Sequence, residues 1–538
     1  MDSSDSYDGI VLGAGQHGLI LASYLARQGL RILLVERRLQ YGGGLMTEEV
    51  TVPGFYHNLH SINHFSISST PWFRDLGLNA KVRYITPRYE FAQPHEDGTA
   101  LVFSRDLDET LASIRRFSPR DAETFREWNA KAEEMTRRIF LQERYSEPLS
   151  VEERNELLSR SELGRQFLAL TKRQPGEVVE ELFENERVKV LFLFKLSLFG
   201  TVLHEALGTE SPLGSLIRAF DLATGYELCE GGSWNLARGL METFIAAGGT
   251  FLNQAHVSRI IIEGGRATGV ELADGRTIRA RQFVASTLDV HQTFESLIGR
   301  EQLPAELLAK LDKFKYTRWT LFGVHLALRE APNYASSAFD PNVNRALKYN
   351  IGSETIASLM QAHDEVEQGR VPSRTQFGAG ALTVIDPKQA PPGRHTAYAW
   401  HVVPWAPDGD HENLRAIQPE MTQRIIDRWR EYAPNMTPDN ILGTYTYTAY
   451  EYSQHLINMR GGDIFMGALS GDQVLYNHFG YRTPVPNLYL AGSPCHPNGA
   501  ITGGAGYITA GIIVRDLGLT PWWQPLDARV ELAKLSDA

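Results

Sequence analysis

The sequence predicts an α/β fold, and three observations predict it. A strand, a Gly-rich turn, a helix and a second strand follow one another within residues 9–36. A strand, a loop of small residues and a helix recur at residues 486–518. Between them, residues 257–287 carry three β-rich runs parted by short turns.

The first unit opens with Gly9 to Leu12, a short apolar run suited to a buried parallel strand. Gly13, Gly15 and Gly18 punctuate the turn that follows, with Gln16 and His17 inside it. Gly13 permits a tight turn, Gly15 lets backbone approach a pyrophosphate, and Gly18 lets helix and strand pack closely. The helix that starts there offers free N–H groups and a positive dipole end to phosphates. Gly29 is placed to cap it, and RILLVE forms the second strand. Glu36 ends that strand, where a carboxylate accepts hydrogen bonds from ribose hydroxyls and repels a 2′-phosphate. The unit therefore reads as a Rossmann-type site for FAD or NAD rather than NADP.

Gly42, Gly43 and Gly44 follow closely and give backbone a second close approach to a ligand. This cluster, the Thr47-Glu48-Glu49 and Pro53-Gly54-Phe55 continuation, and the C-terminal NLYLAG…HP…G run resemble the amine oxidase and phytoene desaturase superfamily of flavoproteins. The Asn458, Gly461-Gly462 and Gln473 spacing resembles its phytoene-desaturase-related branch, as does Tyr452. The resemblance implies a Rossmann-type FAD-binding domain of the glutathione-reductase-like (amine oxidase) kind, plus a mixed-sheet and helical substrate domain. It places the FAD domain in residues 1–75, 225–295 and 480–518, the substrate domain in 76–224 and 296–479, and a tail at 519–538.

The same resemblance implies non-covalent FAD. It sets Gly13, Gly15, Gln16, His17, Gly18, Glu36, Arg37, Gly43, Gly44, Leu45, Val257, Gly492, Asn498, Gly499, Gly503 and Gly504 against the cofactor. Leu45 stands where many members carry an Arg for the pyrophosphate, so that charge is absent or comes from elsewhere. Asn498 stands where the family often has Gly. For catalysis the candidates are His496, in the loop expected to meet the flavin ring, and His60 and His64 in YHNLHSINHF, beside His57. An unperturbed imidazole titrates near neutrality, as a general base should. No carboxylate or cysteine accompanies these histidines at metal-site spacing, so no metal is expected. Cys495 is expected to be a buried thiol.

The resemblance implies an oxidoreductase that removes hydride from C–H bonds, with CH–CH or CH–NH donors. Its substrate is expected to be apolar, alicyclic or terpenoid- and carotenoid-like, with oxygen or a quinone as electron acceptor. A redox-neutral isomerase or hydratase that needs reduced FAD is the alternative, and a non-catalytic flavin-fold binding protein is a third. No second Gly-rich fingerprint supports a nicotinamide.

Other features narrow the class. A net charge of -11 argues against nucleic acid as a partner. Cys229 and Cys495 are the only cysteines, which excludes a disulfide scaffold and fits a reducing cytoplasm. The run from Val190 to Leu203 is too short to span a membrane and carries Lys195, so a buried helix is expected, with the wall of an apolar substrate pocket or a membrane-dipping surface as alternatives. Residues 106–185 show charged residues at helical spacing. Thr317–Leu328 and His395–Trp405 read as strands with interleaved aromatics, either core or the floor of an apolar site. Trp522 and Trp523 suit a packed tail, with peripheral membrane contact as the alternative.

Overall fold

The computed structural model describes residues 6–198, 203, 206–207, 211–469 and 473–535. Chain order sets the first layer: β1 (Ser6–Leu12), α1 (Gln16–Arg27) and β2 (Ile32–Val35), then, far along the chain, α2 (Trp234–Ala246) and β3 (Thr250–Leu252). A meander of β4 (Val257–Glu263), β5 (Arg266–Leu272) and β6 (Thr277–Ser286) follows, and β7 (Leu488–Leu490) and α3 (Gly504–Asp516) complete it. β3, β2, β1, β6 and β7 pair in parallel in that order, while β4 and β5 extend the sheet antiparallel from β6.

The sequence explains this layer. Ile10, Val11 and Leu12 are at most 1% exposed and Ile32 to Val35 at most 2%, as expected for strands covered on both faces. α1 lies between α2 and α3 and is buried from Gln16 to Ala26. Gly29 takes a φ of 89°, and its N–H donates to the Ala26 carbonyl, which ends α1 as its position predicts.

A second seven-stranded sheet holds the order 441–447, 319–328, 395–404, 377–380, 348–351, 89–94, 100–104. Trp319–Leu328 pairs antiparallel with His395–Pro404 from end to end, and every residue of the former is buried. One pair, 348–351 with 89–94, is parallel, so the sheet is mixed. Residues 107–220 form a helical block whose core stacks Phe125, Phe183, Phe192 and Phe220. The apolar run begins in the helix Glu186–Ser197, buried on nearly all sides. Lys195 is covered there, donating to the Ala219 carbonyl at 3.3 Å with its ammonium 5.4 Å from the Phe103 ring centre. Residues 199–202 of that run lie outside the described residues. Among the described residues no helix is long and apolar enough to cross a membrane.

The C-terminal segment packs on both parts of the molecule. Trp522 stacks on Tyr24 at 5.3 Å and Trp523 meets the same ring edge-on at 4.6 Å. Leu532 and Leu535 then enter the core of the helical block. Trp523 is 8% exposed, and the Trp522 indole N–H donates to the Tyr24 carbonyl, as the reading of this pair as a packed tail expects.

Candidate active site

One cavity of about 570 Å³ runs from the C-terminal ends of β1 and β2 to the face of the second sheet. Parallel α/β sheets place ligands at this edge, where backbone N–H groups and helix N-termini converge.

At one end the wall is Gly13, Gly15, Gln16, His17, Val35, Glu36, Arg37 and Arg38, closed by Gly42, Gly43 and Gly44. Glu36 is held from two sides: Ala14 N–H donates to Oε2 at 3.0 Å and Arg38 N–H to Oε1 at 2.9 Å. A Cβ on Gly18 would lie 1.9 Å from the Gly13 carbonyl oxygen, so Gly18 permits the helix–strand contact that its position predicts. A Cβ on Gly15 would meet nothing nearer than Gly43 Cα at 4.0 Å, so protein packing does not account for that glycine. Val257, with Ala255 and His256, closes this end.

The loop after β7 forms the middle of the wall through Ser493, Asn498, Gly499, Ala500 and Ile501. Asn498 and Ala500 take φ values of 73° and 65°. The Gln16 side-chain N–H donates to the Ala500 carbonyl, tying this loop to the first turn. Gln16 Oε1 is buried without a hydrogen-bond partner among the described residues, an acceptor aimed at a ligand's donor.

The far end is lined by Ile62, Phe65, Leu198, Trp400 and Phe465, with the polar groups of Asn63, His64, Ser215 and Tyr226. Arg144, Arg218 and Lys348 also reach this wall.

The structure separates the expected catalytic histidines. His60 and His64 line the cavity. His496 does not: its Nε2 lies 2.8 Å from the Glu143 carbonyl oxygen, its side chain is buried, and it fixes the loop instead of facing a ligand. His57 is likewise turned aside, its Nε2 2.8 Å from Thr51 Oγ1. The expectation of titration near neutrality also fails. Burial lowers His60 and His64 to about 3, and His17 and His57 to about 4. At neutral pH they are neutral hydrogen-bonding rings. His64 Nδ1 lies 2.6 Å from the Tyr84 hydroxyl, which orients the ring, and its Nε2 is left for the cavity.

Five residues placed at the cofactor by resemblance stay outside the wall: Gly18, whose packing role is given above, Leu45, Gly492, Gly503 and Gly504. Leu45 is fully buried in the core. A Cβ on Gly492 would lie 2.4 Å from the Thr287 carbonyl oxygen, one on Gly503 2.4 Å from Trp72, and one on Gly504 2.5 Å from Pro497. These three glycines allow the loop and the start of α3 to pack. Cys495 is buried, and burial raises its thiol to about 12. Sequence reasoning missed Arg38, Arg144, Arg218 and Lys348, which line the cavity from separate elements. Arg38, two residues past Glu36, is one cation present where Leu45 supplies none, and its spacing was the one readable signal among them.

Comparison with known proteins agrees with this geometry. Residues 18–511 match the family described as flavin containing amine oxidoreductase. One of the polypeptides of limonene dehydrogenase from Castellaniella defragrans is 32% identical, across 97% of this chain and 96% of its own. The lycopene-forming phytoene desaturase of a Paracoccus species is 26% identical, across 94% of this chain and 97% of its own. Among solved structures, cyclohexylamine oxidase from Brevibacterium oxydans superposes with a TM-score of 0.56 at 16% identity, covering 95% of this chain and 99% of its own, which shows the shared fold. The cofactor is FAD, and the residues present fit it. The open space over Gly15, the doubly held Glu36 carboxylate and the unpartnered Gln16 Oε1 lie along one cavity of about 570 Å³.

Proposed function

The chain belongs to the flavin containing amine oxidoreductase family, and we propose that it is an FAD-dependent dehydrogenase that takes hydride from a ring or allylic C–H of an apolar, alicyclic or terpenoid-like molecule. One observation carries the choice of substrate. Among the described residues Glu36 is the sole carboxylate in the cavity wall, and it sits at the nucleotide end. A protonated amine at the far end would meet Arg144, Arg218 and Lys348 with no carboxylate beside them in the wall. An amine substrate therefore fits poorly, while Ile62, Phe65, Leu198, Trp400 and Phe465 fit an apolar body. The names of the relatives, which include limonene dehydrogenase and phytoene desaturase, support the same reading.

Bound FAD supplies the two-electron acceptor for C–H chemistry. The protein's part is placement. Glu36 would accept hydrogen bonds from the ribose hydroxyls, Gly13, Gly15 and Gly43 would admit the pyrophosphate, and Val257 would lie beside the adenine. Asn498 and Gly499 would hold the flavin ring. Among the described residues, those within 1–75, 225–295 and 480–518 would hold the cofactor, and those within 76–224 and 296–479 would shape the substrate end. Trp400 and Phe65 fix the substrate's plane and exclude water, which matters because hydride transfer needs a close, aligned approach. His60 and His64, both neutral, orient the substrate, and a ring nitrogen of one of them takes the proton that the adjacent C–H must lose once the hydride has left with its electron pair, so that a C=C bond forms. Oxygen or a quinone would be the final electron acceptor, and an apolar substrate makes peripheral membrane contact part of this reading.

Anaerobic addition of ligands to the purified holoprotein tests it. Limonene or another cyclic terpenoid should bleach the flavin absorbance, and cyclohexylamine should not. Bleaching by amines alone would overturn the proposal. Turnover of a terpenoid without bleaching, and only after chemical reduction of the flavin, would assign a redox-neutral isomerase or hydratase.

A further inference from the structure

We infer that Leu198 and Trp400 set the length of the substrate: they admit a compact ring terpenoid and stop one whose isoprenoid chain runs on past the ring. The inference rests on the dehydrogenase reading above and narrows the substrate of that same site.

A second cavity, of about 40 Å³, adjoins the far end of the first. Among the described residues the two cavities share Leu198 and Trp400 and no other lining residue. These two side chains are therefore the partition between them. Most of the smaller cavity's lining is apolar, from groups such as Phe194, Trp319, Leu359, Ala362 and Val366. By itself it has room for only a few water-sized groups, so a substrate can use it only where the partition opens.

The second sheet builds the partition. Gly378, Trp400, Gly323 and Tyr447 are paired in register on four neighbouring strands, so their side-chain positions lie on one face. Neither glycine has a positive φ, so the backbone does not demand glycine at either place. Packing does. A Cβ on Gly323 would lie 2.3 Å from Tyr447 Cζ, and one on Gly378 3.3 Å from Leu198 Cδ1. The two glycines thus leave room on either side of Trp400, for the Tyr447 ring on one and the Leu198 side chain on the other. The Trp400 indole N–H donates to the Tyr447 hydroxyl at 3.3 Å, and that hydroxyl donates to the Leu59 carbonyl. Leu198 ends the helix Glu186–Ser197, its N–H donating to the Phe194 carbonyl at 3.2 Å. One half of the partition is pinned by a chain of hydrogen bonds, and the other is a branched aliphatic side chain held by packing. A substrate whose body ends at this wall leaves both in place. Further carbons would have to lift Leu198 from Gly378 or Trp400 from Tyr447, and a close-packed wall resists either.

The test compares limonene with β-bisabolene, which carries the same methylcyclohexene ring and one further isoprene unit, on the FAD-loaded full chain. Dissociation constants are read from perturbation of the flavin spectrum, and bleaching is followed without oxygen. Hydrophobicity alone favours the larger molecule, so a preference for limonene reports the wall. Limonene should bind the wild type at least ~10-fold more tightly, the discrimination a closed apolar pocket gives against added carbons. Leu198→Ala and Trp400→Phe should each move that ratio toward parity. Adding Ala362→Val to Leu198→Ala, which fills the smaller cavity, should restore it. Equal or tighter binding of β-bisabolene to the wild type overturns the inference. So does a ratio unchanged in both variants, or one that Ala362→Val fails to restore. Bleaching by both hydrocarbons at equal affinity would remove the length limit and keep the dehydrogenase reading. A limonene preference that shifts as stated, with no bleaching by either, would do the reverse. Failure of both hydrocarbons to bind any of these forms would overturn both.

Discussion

Gly15 and Gly18 stand three residues apart in the same turn and separate binding from folding. A methyl on Gly15 has room among protein atoms, its nearest neighbour 4.0 Å away, whereas a methyl on Gly18 would fall 1.9 Å from a carbonyl oxygen. Gly15→Ala should therefore leave the thermal midpoint of the flavin-free protein within a degree or so and weaken FAD binding by more than ~10-fold, because the methyl occupies pyrophosphate space. Gly18→Ala should lower the midpoint of the flavin-free protein itself, with a cost on the order of 2 kcal/mol or more from the overpacked contact. Flavin fluorescence titration and calorimetry distinguish the two, and equal effects on folding would show that Gly15 has a packing role. Glu36→Gln should cost FAD affinity by roughly 1–2 kcal/mol, since a neutral amide replaces a charged acceptor that Ala14 and Arg38 already orient.

The C-terminal segment is the element whose role least resembles its position in the chain. Trp522 and Trp523 cover Tyr24 on α1, and the short helix Ala528–Leu532 reaches the helical block, where the Arg529 side chain meets Glu153. α1 begins at the turn proposed to receive the cofactor, so the tail braces the helix whose N-terminus that proposal sets toward the phosphates. Truncation after Leu519 should lower the thermal midpoint and increase the loss of FAD on dialysis, because an apolar face of about two Trp side chains is uncovered. Unchanged flavin retention in the truncated chain would limit the segment to stability. At the same scale, the pairing of His64 with Tyr84 ties a cavity residue to the strand Tyr84–Ile85. Tyr84→Phe should free the imidazole to rotate and lower kcat for a terpenoid substrate while leaving FAD affinity as it is.

Several of the molecule's histidines are buried and held neutral. Burial lowers His17, His57 and His401 to about 4, and His60, His64 and His95 to about 3. An unfolded chain binds protons on these rings as pH falls through about 6.5, and the folded protein does so only near the lowered values. The unfolded state thus holds more protons in that window, and each such ring removes about 1.4 kcal/mol of stability per pH unit. The thermal midpoint should be nearly flat above pH ~7 and fall steeply between pH ~6.5 and ~4. A midpoint that holds constant down to pH ~5 would mean that these rings are hydrated in solution.

Some of this was legible in the chain itself, because it depends on neighbours in sequence. The Gly13–Gly18 turn, Glu36 at the end of β2, the helix capped by Gly29, the meander of residues 257–286 and the long strand pair at 319–328 and 395–404 are set by period, turn residues and backbone freedom within short windows. The cofactor end of the cavity follows from them, since one strand–turn–helix unit builds most of it. The substrate end does not. Arg144, Arg218 and Lys348 belong to two helices and a mid-sheet strand, and only the packing of the helical block against the second sheet brings them to one wall. His496 shows the converse: its motif promised the flavin ring, yet a hydrogen bond to Glu143, far away in sequence, turns it aside. Local spacing fixes which backbone can approach a dinucleotide, whereas the charge and shape that select a substrate arise from contacts between distant segments, which no window of sequence contains.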